Sequence, residues 1–281
     1  MLTLAKDDID PVAVCNELMT GGGAVKFKGL FTDAQIAEAR RVIMEESDVD
    51  AVKVTHFQGA ALEEGTANLQ RRVWNLLAKG QVFSEMAAHP AIMNVLRRWL
   101  GTEFIMGSIA ANRILPGGPG QEPHVDYPYW DFHDIETHPM GLNASFPMNA
   151  QITIVLDPFT EESGATAYAP GTQKELRYPT PIEQKEFFNT CHRMTGDTGD
   201  TVLFFGAAWH CAMPNKSDHD RNAVLINYLP KWVKPLEDMP DAMPPGFIEA
   251  ASLEIKQLLG LNYPYPEVLD QAAAINAAGI K

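Results

Sequence analysis

His124-Val-Asp126 sets an imidazole and a carboxylate two residues apart. On an extended backbone, residues i and i+2 project to the same side, so both groups can reach one point and one metal ion. A third ligand must come from elsewhere in the chain. His210 is the candidate, because it follows the apolar run Thr201–Phe205 after the turn that Gly206 allows. Two imidazoles and one carboxylate leave one octahedral face open, the ligand set that suits non-haem Fe(II) and oxygen chemistry. An H-x-D tripeptide recurs by chance in many chains and carries little weight alone. Arg221 adds weight: it precedes the β-rich run Asn222–Leu229, and its planar guanidinium can clamp a carboxylate through two hydrogen bonds. Hairpin logic lays that run antiparallel beside the strand leading to His210. Asp218-His-Asp220 offers Arg221 a plainer set of partners. The remaining histidines, among them His56, His89, His138, His192 and His219, read as solvated or packed side chains.

These groups need a frame. The 281 residues allow one large domain or two small ones, and 46% hydrophobic with 21% charged residues is the composition of a globular chain with a sizeable core. From about residue 32 to 100 the apolar period is helical: Thr32-Asp-Ala-Gln35 reads as a capping box opening Ala34–Glu46, and Pro90–Leu100 carries a second apolar stripe. A short strand is expected at Ala24–Phe27. From Glu103 to about Lys231 short β-like segments alternate with Gly, Pro and Asn: Phe104–Leu115, Ala150–Leu156, Thr201–Phe205 and Asn222–Leu229. Short strands joined by long loops predict a sandwich or jelly roll rather than alternating βα units. Helix returns over Ile248–Leu259, before a turn at Asn262–Pro266. The expected architecture is mainly β with flanking helices, an α+β chain forming one domain over 1–281: helical support to about 102, a β core over 103–231, and a helical extension over 232–281.

Composition narrows the partners. Lys and Arg total 22 against 36 Asp and Glu, a net charge of −14, so the overall field repels nucleic acid and anionic membrane surfaces. No apolar run approaches the roughly 18 residues of a membrane span. Acids at Asp7 and Asp8 fall where a signal peptide would need its apolar stretch. Three scattered cysteines without a CxxC argue against a disulfide framework or a cysteine zinc site. A cytoplasmic protein acting on a small molecule, as monomer or homodimer, is the expectation.

The ordered motifs Pro123-His-Val-Asp126, Glu162-Ser-Gly164, Ala169-Pro-Gly171-Thr-Gln-Lys174, Gly199-Asp-Thr-Val-Leu-Phe-Phe205 and His210, with Arg221 after them, resemble the phytanoyl-CoA dioxygenase family of Fe(II)- and 2-oxoglutarate-dependent oxygenases. The resemblance spans Gly22 to about Pro230. It implies a double-stranded β-helix, a cupin-like jelly roll with its site in the barrel mouth. It also implies iron held by His124, Asp126 and His210, and the far carboxylate of 2-oxoglutarate gripped by Arg221. The implied activity is an oxygenase, first of all a hydroxylase, that consumes 2-oxoglutarate and O2 and releases succinate and CO2, with desaturation, cyclisation or epimerisation open to the same hydrogen abstraction. Because Asp126 fills the position a halide would need, halogenation is not expected.

Strand parity extends the site. Gln151 and Thr153 share one face of their strand, where relatives keep co-substrate or substrate contacts. Asn112 shares its face with Met106, Ser108 and Ala110, within reach of the co-substrate or simply bonded in the core. Cys211 alternates away from His210. After Asp126, the segment Tyr127-Pro-Tyr129-Trp130-Asp-Phe132-His133-Asp134 is dense in rings and acids. Tyr127, Trp130 and His133 there would suit a cationic or zwitterionic substrate, or would merely cover the mouth. The same ligands could instead serve a jelly-roll metal-binding protein or a zinc-dependent hydrolase, neither of which needs Arg221.

Overall fold

The computed structural model describes residues 1–49, 66–128 and 147–262. The strands are β1 (Leu2–Ala5), β2 (Ala24–Lys28), β3 (Gln70–Val73), β4 (Ile105–Ile114), β5 (Ala150–Val155), β6 (Ala167–Tyr168), β7 (His192–Arg193), β8 (Thr201–Phe204), β9 (His210–Cys211) and β10 (Arg221–Leu229). Among the described residues they form a seven-stranded sheet in the order β1-β2-β8-β5-β10-β4-β3 and a three-stranded sheet in the order β7-β6-β9. The two sheets make the jelly roll that the resemblance implies. β10 is the spine of the large sheet, antiparallel to β4 on one side and β5 on the other.

Helices α1 (Pro11–Thr20), α2 (Asp33–Val49), α3 (Gln81–Ala87) and α4 (Pro90–Leu100) support the large sheet, α2 against β3 and β4 and α4 against β5. Local sequence explains their ends. The amide of Gln35 donates to Thr32 Oγ1 at 3.3 Å and the Thr32 amide to Gln35 Oε1 at 3.0 Å, the expected capping box. In α4, Pro90 starts the helix, Ile92, Val95, Leu96 and Trp99 are buried, and Gly101 at φ 92° ends it. β4, β5 and β10 are buried on both faces, because helices cover one side and the second sheet the other.

Five expectations change. β10 does not lie beside the strand of His210: β9 belongs to the small sheet and β10 to the large one, since consecutive strands of a jelly roll cross between sheets instead of closing a hairpin. Arg221 is the first residue of β10, opposite Ile114, rather than a residue before it. The helix expected over Ile248–Leu259 is two, α7 (Phe247–Ala250) and α8 (Leu253–Leu258), following a short α6 (Met239–Ala242). The break comes at Ser252, whose side chain accepts from the Ile255 amide and starts a new helix. β2 is the strand expected at Ala24–Phe27, and β1 and β3 also carry the large sheet into the region read as helical support. Helix α5 (Pro181–Thr190), opened by a Thr180–Glu183 capping box, interrupts the β core. Trp130, His133, His56, His138 and most of the turn at 262–266 lie outside the described residues.

Candidate metal centre and cavity

The segment 121–126 is zipped to the segment that carries His210. Gln121 N donates to Ala212 O at 2.8 Å, His124 and His210 exchange two backbone bonds of 3.0 Å, and Asp126 N donates to Gly206 O at 2.8 Å. The small sheet thus gains a further edge, and its pleat turns His124 and Asp126 to the side where His210 stands. The ligand atoms of His124, Asp126 and His210 all lie within 4.8 Å of one another. Nε2 of His210 is 3.2 Å from Asp126 Oδ2, and Nε2 of His124 is 3.8 Å from Asp126 Oδ1.

Both imidazoles are locked in the tautomer a metal requires. His124 Nδ1 sits 2.8 Å from Glu122 O and His210 Nδ1 2.8 Å from Ala208 O. A carbonyl can only accept, so each Nδ1 carries a proton, which leaves each Nε2, the nitrogen turned to Asp126, as the one to ligate a metal. Phe204 packs edge-on against His210 at 4.9 Å. Burial, and then the neighbouring His210, pull the His124 pKa down to about 4. At His210 burial is outweighed by the Asp126 charge and hydrogen bond, and its pKa is raised. Burial likewise opposes ionisation of Asp126, but His210, His124 and Arg72 hold its pKa below the usual carboxylate range. A carboxylate paired with a proton it shares with imidazole is a site that a dication can take over.

These residues open into a cavity of about 400 Å³ between the sheets. Its floor is the inner face of the large sheet, where Ser108, Ala110 and Asn112 of β4, Gln151 and Thr153 of β5, and Arg221, Ala223, Leu225 and Asn227 of β10 all line it. Asn112, Gln151 and Thr153 thus share this face as parity expected, but Met106 does not line the cavity, because the pairing slips at Gly107. Arg221 is 3% exposed, its Nη1 has no hydrogen-bond partner, and its guanidinium lies 5.0 Å over the Phe159 ring. The acids that might have neutralised it are taken. Asp220 accepts from Arg113 Nε at 2.8 Å, Asp157 accepts from Arg40 Nε at 2.6 Å and from Asn222, and Asp218 pairs with His219. Burial, and then Arg193, lower the Arg221 pKa to about 9. A buried cation without a protein anion is a seat for a ligand's anion.

Tyr127 also lines the cavity, and its hydroxyl donates to Lys234 O at 2.5 Å. Cys211 does not line it; the thiol is buried near Met213 and pushed up to about 12 by burial. Two residues were missed in the sequence. Arg72 of β3 is 8% exposed, lines the cavity, stacks 5.4 Å from Trp74, and sits close enough to Asp126 to help ionise it. No periodicity marks Gln70-Arg-Arg-Val73 as a strand, and the region reads as helical. Asn149 is fully buried, and its Nδ2 donates to Tyr127 O at 2.7 Å while its Oδ1 accepts from Gly206 N at 3.0 Å. One amide therefore ties the segment of Asp126 to the turn before His210.

The sequence profile of the family described as Phytanoyl-CoA dioxygenase (PhyH) matches residues 20–223, and the chain belongs to that family. Among curated proteins it is 22% identical to dioxygenase af480 of Aspergillus fumigatus over 244 residues, covering 86% of this chain and 74% of that one. It is 26% identical to dioxygenase lolE1 of Epichloe uncinata, over 71% of this chain and 74% of the relative. A probable alpha-ketoglutarate-dependent hypophosphite dioxygenase of Stutzerimonas stutzeri matches at 23%, over 73% of this chain and 74% of its own. Among solved structures the non-heme alpha ketoglutarate dependent epimerase SnoN from nogalamycin biosynthesis shares the fold, with a TM-score of 0.55 at 16% identity over 84% of this chain and 91% of that one. Family and relatives support a dioxygenase of the iron and 2-oxoglutarate type. No helix among the described residues is long and apolar enough to cross a membrane.

Proposed function

We propose that the protein is an Fe(II)- and 2-oxoglutarate-dependent dioxygenase that hydroxylates an unactivated C–H bond of a small-molecule metabolite and releases succinate and CO2. The observation that carries the reading is Arg221, a buried guanidinium whose neighbouring acids Asp157, Asp218 and Asp220 are engaged elsewhere, opening into the cavity that holds the His124, Asp126 and His210 cluster. In this reading His124, Asp126 and His210 hold Fe(II), with both Nδ1 protons fixed by backbone carbonyls. The iron, when bound, supplies the activation of O2 that couples decarboxylation of 2-oxoglutarate to oxidation of the substrate. Arg221 clamps the far carboxylate of the co-substrate, and Asn112 and Thr153 offer it hydrogen bonds; Gln151, expected beside Thr153, lies further along the cavity floor. Arg72 balances negative charge at the metal end. Three free thiols and a ferrous site suit a reducing cytoplasm. A cationic or zwitterionic substrate is the competing reading, which rests on Tyr127 and, outside the described residues, Trp130 and His133.

Anaerobic addition of Fe(II) and 2-oxoglutarate tests the reading. A visible metal-to-ligand charge-transfer band is expected, absent without either component. A protein that binds metal but ignores 2-oxoglutarate would be a metal-binding module or zinc-type hydrolase instead. Hydroxylation is separated from epimerisation or desaturation by labelled O2, since only hydroxylation leaves an oxygen atom from O2 in the product.

A further inference from the structure

The floor of the cavity holds more hydrogen-bonding capacity than one co-substrate can use. Ser108, Asn227 and Gln151 stand directly across from one another on β4, β10 and β5. All three line the cavity and are less than a tenth exposed, and none has a side-chain hydrogen bond among the described residues. Asn227 is the extreme case, with both Nδ2 and Oδ1 buried and unpartnered. Proteins rarely bury a whole amide unsatisfied unless something else completes it. The fold makes room for this one. Between Asn227 and Tyr228 the pairing with β4 slips, so Gly107 has no partner on β10, and a Cβ on Gly107 would collide with Asn227 Oδ1.

The row lies at the opposite end of β10 from Arg221, six residues and about 20 Å along the strand. A five-carbon diacid clamped at Arg221 is far too short to reach it. The row is instead roofed by the mouth of the cavity: Leu236 N and Glu237 N donate to Gly107 O, and Tyr127, next to Asp126, donates to Lys234 O. The nearest acid held by that roof is occupied, since Glu237 accepts from the amides of Asn75 and Ile109. Neither an anion nor a cation finds an opposite charge in the row itself.

We infer that Ser108, Asn227 and Gln151 form the substrate-recognition row, and that it reads a neutral group offering both donor and acceptor, such as a carboxamide, lactam or hydroxyl. The inference rests on the co-substrate lying at Arg221, as proposed above. It assigns Gln151 to the substrate rather than to 2-oxoglutarate, and Asn227 to a role that no sequence motif marks.

Three probes on one ring test it: cyclohexanecarboxamide, cyclohexanecarboxylate and cyclohexylmethylammonium, at millimolar concentration, by saturation-transfer NMR on the anaerobic Fe(II) and 2-oxoglutarate complex. The amide should bind about tenfold or more tightly than either ion, and Asn227→Leu should erase that preference while leaving the charge-transfer band intact. If Asn227→Leu does not fold, Gln151→Leu and Ser108→Ala carry the same test from the neighbouring strands. The inference is overturned if an ion binds as well as the amide, if the amide does not bind, or if the folded variants keep the preference. A parent protein without the band sinks the co-substrate reading separately, because amide binding is read without it.

Discussion

Arg113 and Arg221 sit on neighbouring strands of one sheet, and both are buried, at 7% and 3% exposure. Arg113 faces the supporting helices. Its guanidinium meets Asp220 at 2.8 Å, Ser47 at 2.9 Å and Asp48 at 2.7 Å. Arg221 faces the cavity and meets a phenyl ring. Two strands carry the same side chain into equal burial and give it opposite electrostatic surroundings. On the outer face, charge is satisfied because the protein is finished there. On the inner face it is left unsatisfied, together with Asn112 Oδ1 and the Asn227 amide, because the complement belongs to a ligand. The acids beside Arg221 sharpen the point: Arg113 and Arg40 hold Asp220 and Asp157 away from it and brace the residues on either side, Asp220 and Asn222.

The strongest way to break this contrast is to empty the metal end. His210→Ala removes one of three ligands and leaves Asp126 without its imidazole, so Fe(II) binding measured by anaerobic calorimetry should be lost and substrate turnover with it. A variant that keeps the parent's iron affinity would remove His210 from the ligand set. Next in size is Arg221→Ala, which should bind Fe(II) like the parent but lose about 2–5 kcal/mol of 2-oxoglutarate affinity, roughly thirty- to several-thousand-fold. Arg221→Lys should restore only part, because a point charge cannot reproduce the bidentate fork. Unaltered 2-oxoglutarate affinity in the alanine variant would end the clamp assignment.

Arg113→Ala should show the reverse pattern. It strands Asp220 and Ser47 and should cost about 2–4 kcal/mol of folding stability, read by urea denaturation, while the folded fraction keeps its 2-oxoglutarate affinity. Equal effects of Arg113→Ala and Arg221→Ala on stability and binding would erase the distinction between the faces. Asn149→Ala belongs between the two classes. Losing its amide orphans Gly206 N–H and Tyr127 C=O, at about 1–3 kcal/mol of stability. It also loosens the two ligand segments from each other, so iron affinity should fall about tenfold or more. Stability loss with unchanged iron affinity would make Asn149 a packing residue only.

Much of the site was legible because its chemistry is written locally. Period-2 parity predicted that Asn112, Gln151 and Thr153 face inward, and i, i+2 spacing paired His124 with Asp126. The pairing of strands was not local. Nothing between Cys211 and Arg221 marks a crossing from one sheet to the other, so adjacency in sequence suggested a hairpin that does not exist. Arg72 was hidden for a related reason. β3 is four residues, too short for period to declare itself, and it joins the sheet only through β4. Asn149 and Asn227 look like any asparagine at a strand start or interior, and only their partners, or the lack of them, single them out.

The smallest expected effect is the most diagnostic in sign. Arg221 has its pKa drawn down to about 9 by burial and by Arg193. Its unfolded value lies above 12, so folding without a ligand works against the protonated form. Both states are protonated at pH 7, and the penalty is fully present there. It is relieved only as pH rises through 9, where the native state begins to release a proton that the unfolded chain still holds. Arg221→Met keeps similar bulk against Phe159 and removes the charge. The ligand-free variant should therefore be as stable as the parent or more so, by about 1 kcal/mol, and the difference should shrink as pH rises above 9. Adding 2-oxoglutarate with Fe(II) should reverse the order, raising the parent's melting temperature and leaving that of the variant where iron alone puts it. A clear loss of stability in ligand-free Arg221→Met would mean that the guanidinium holds the fold together, as Arg113 does, and that the inner face is no less finished than the outer.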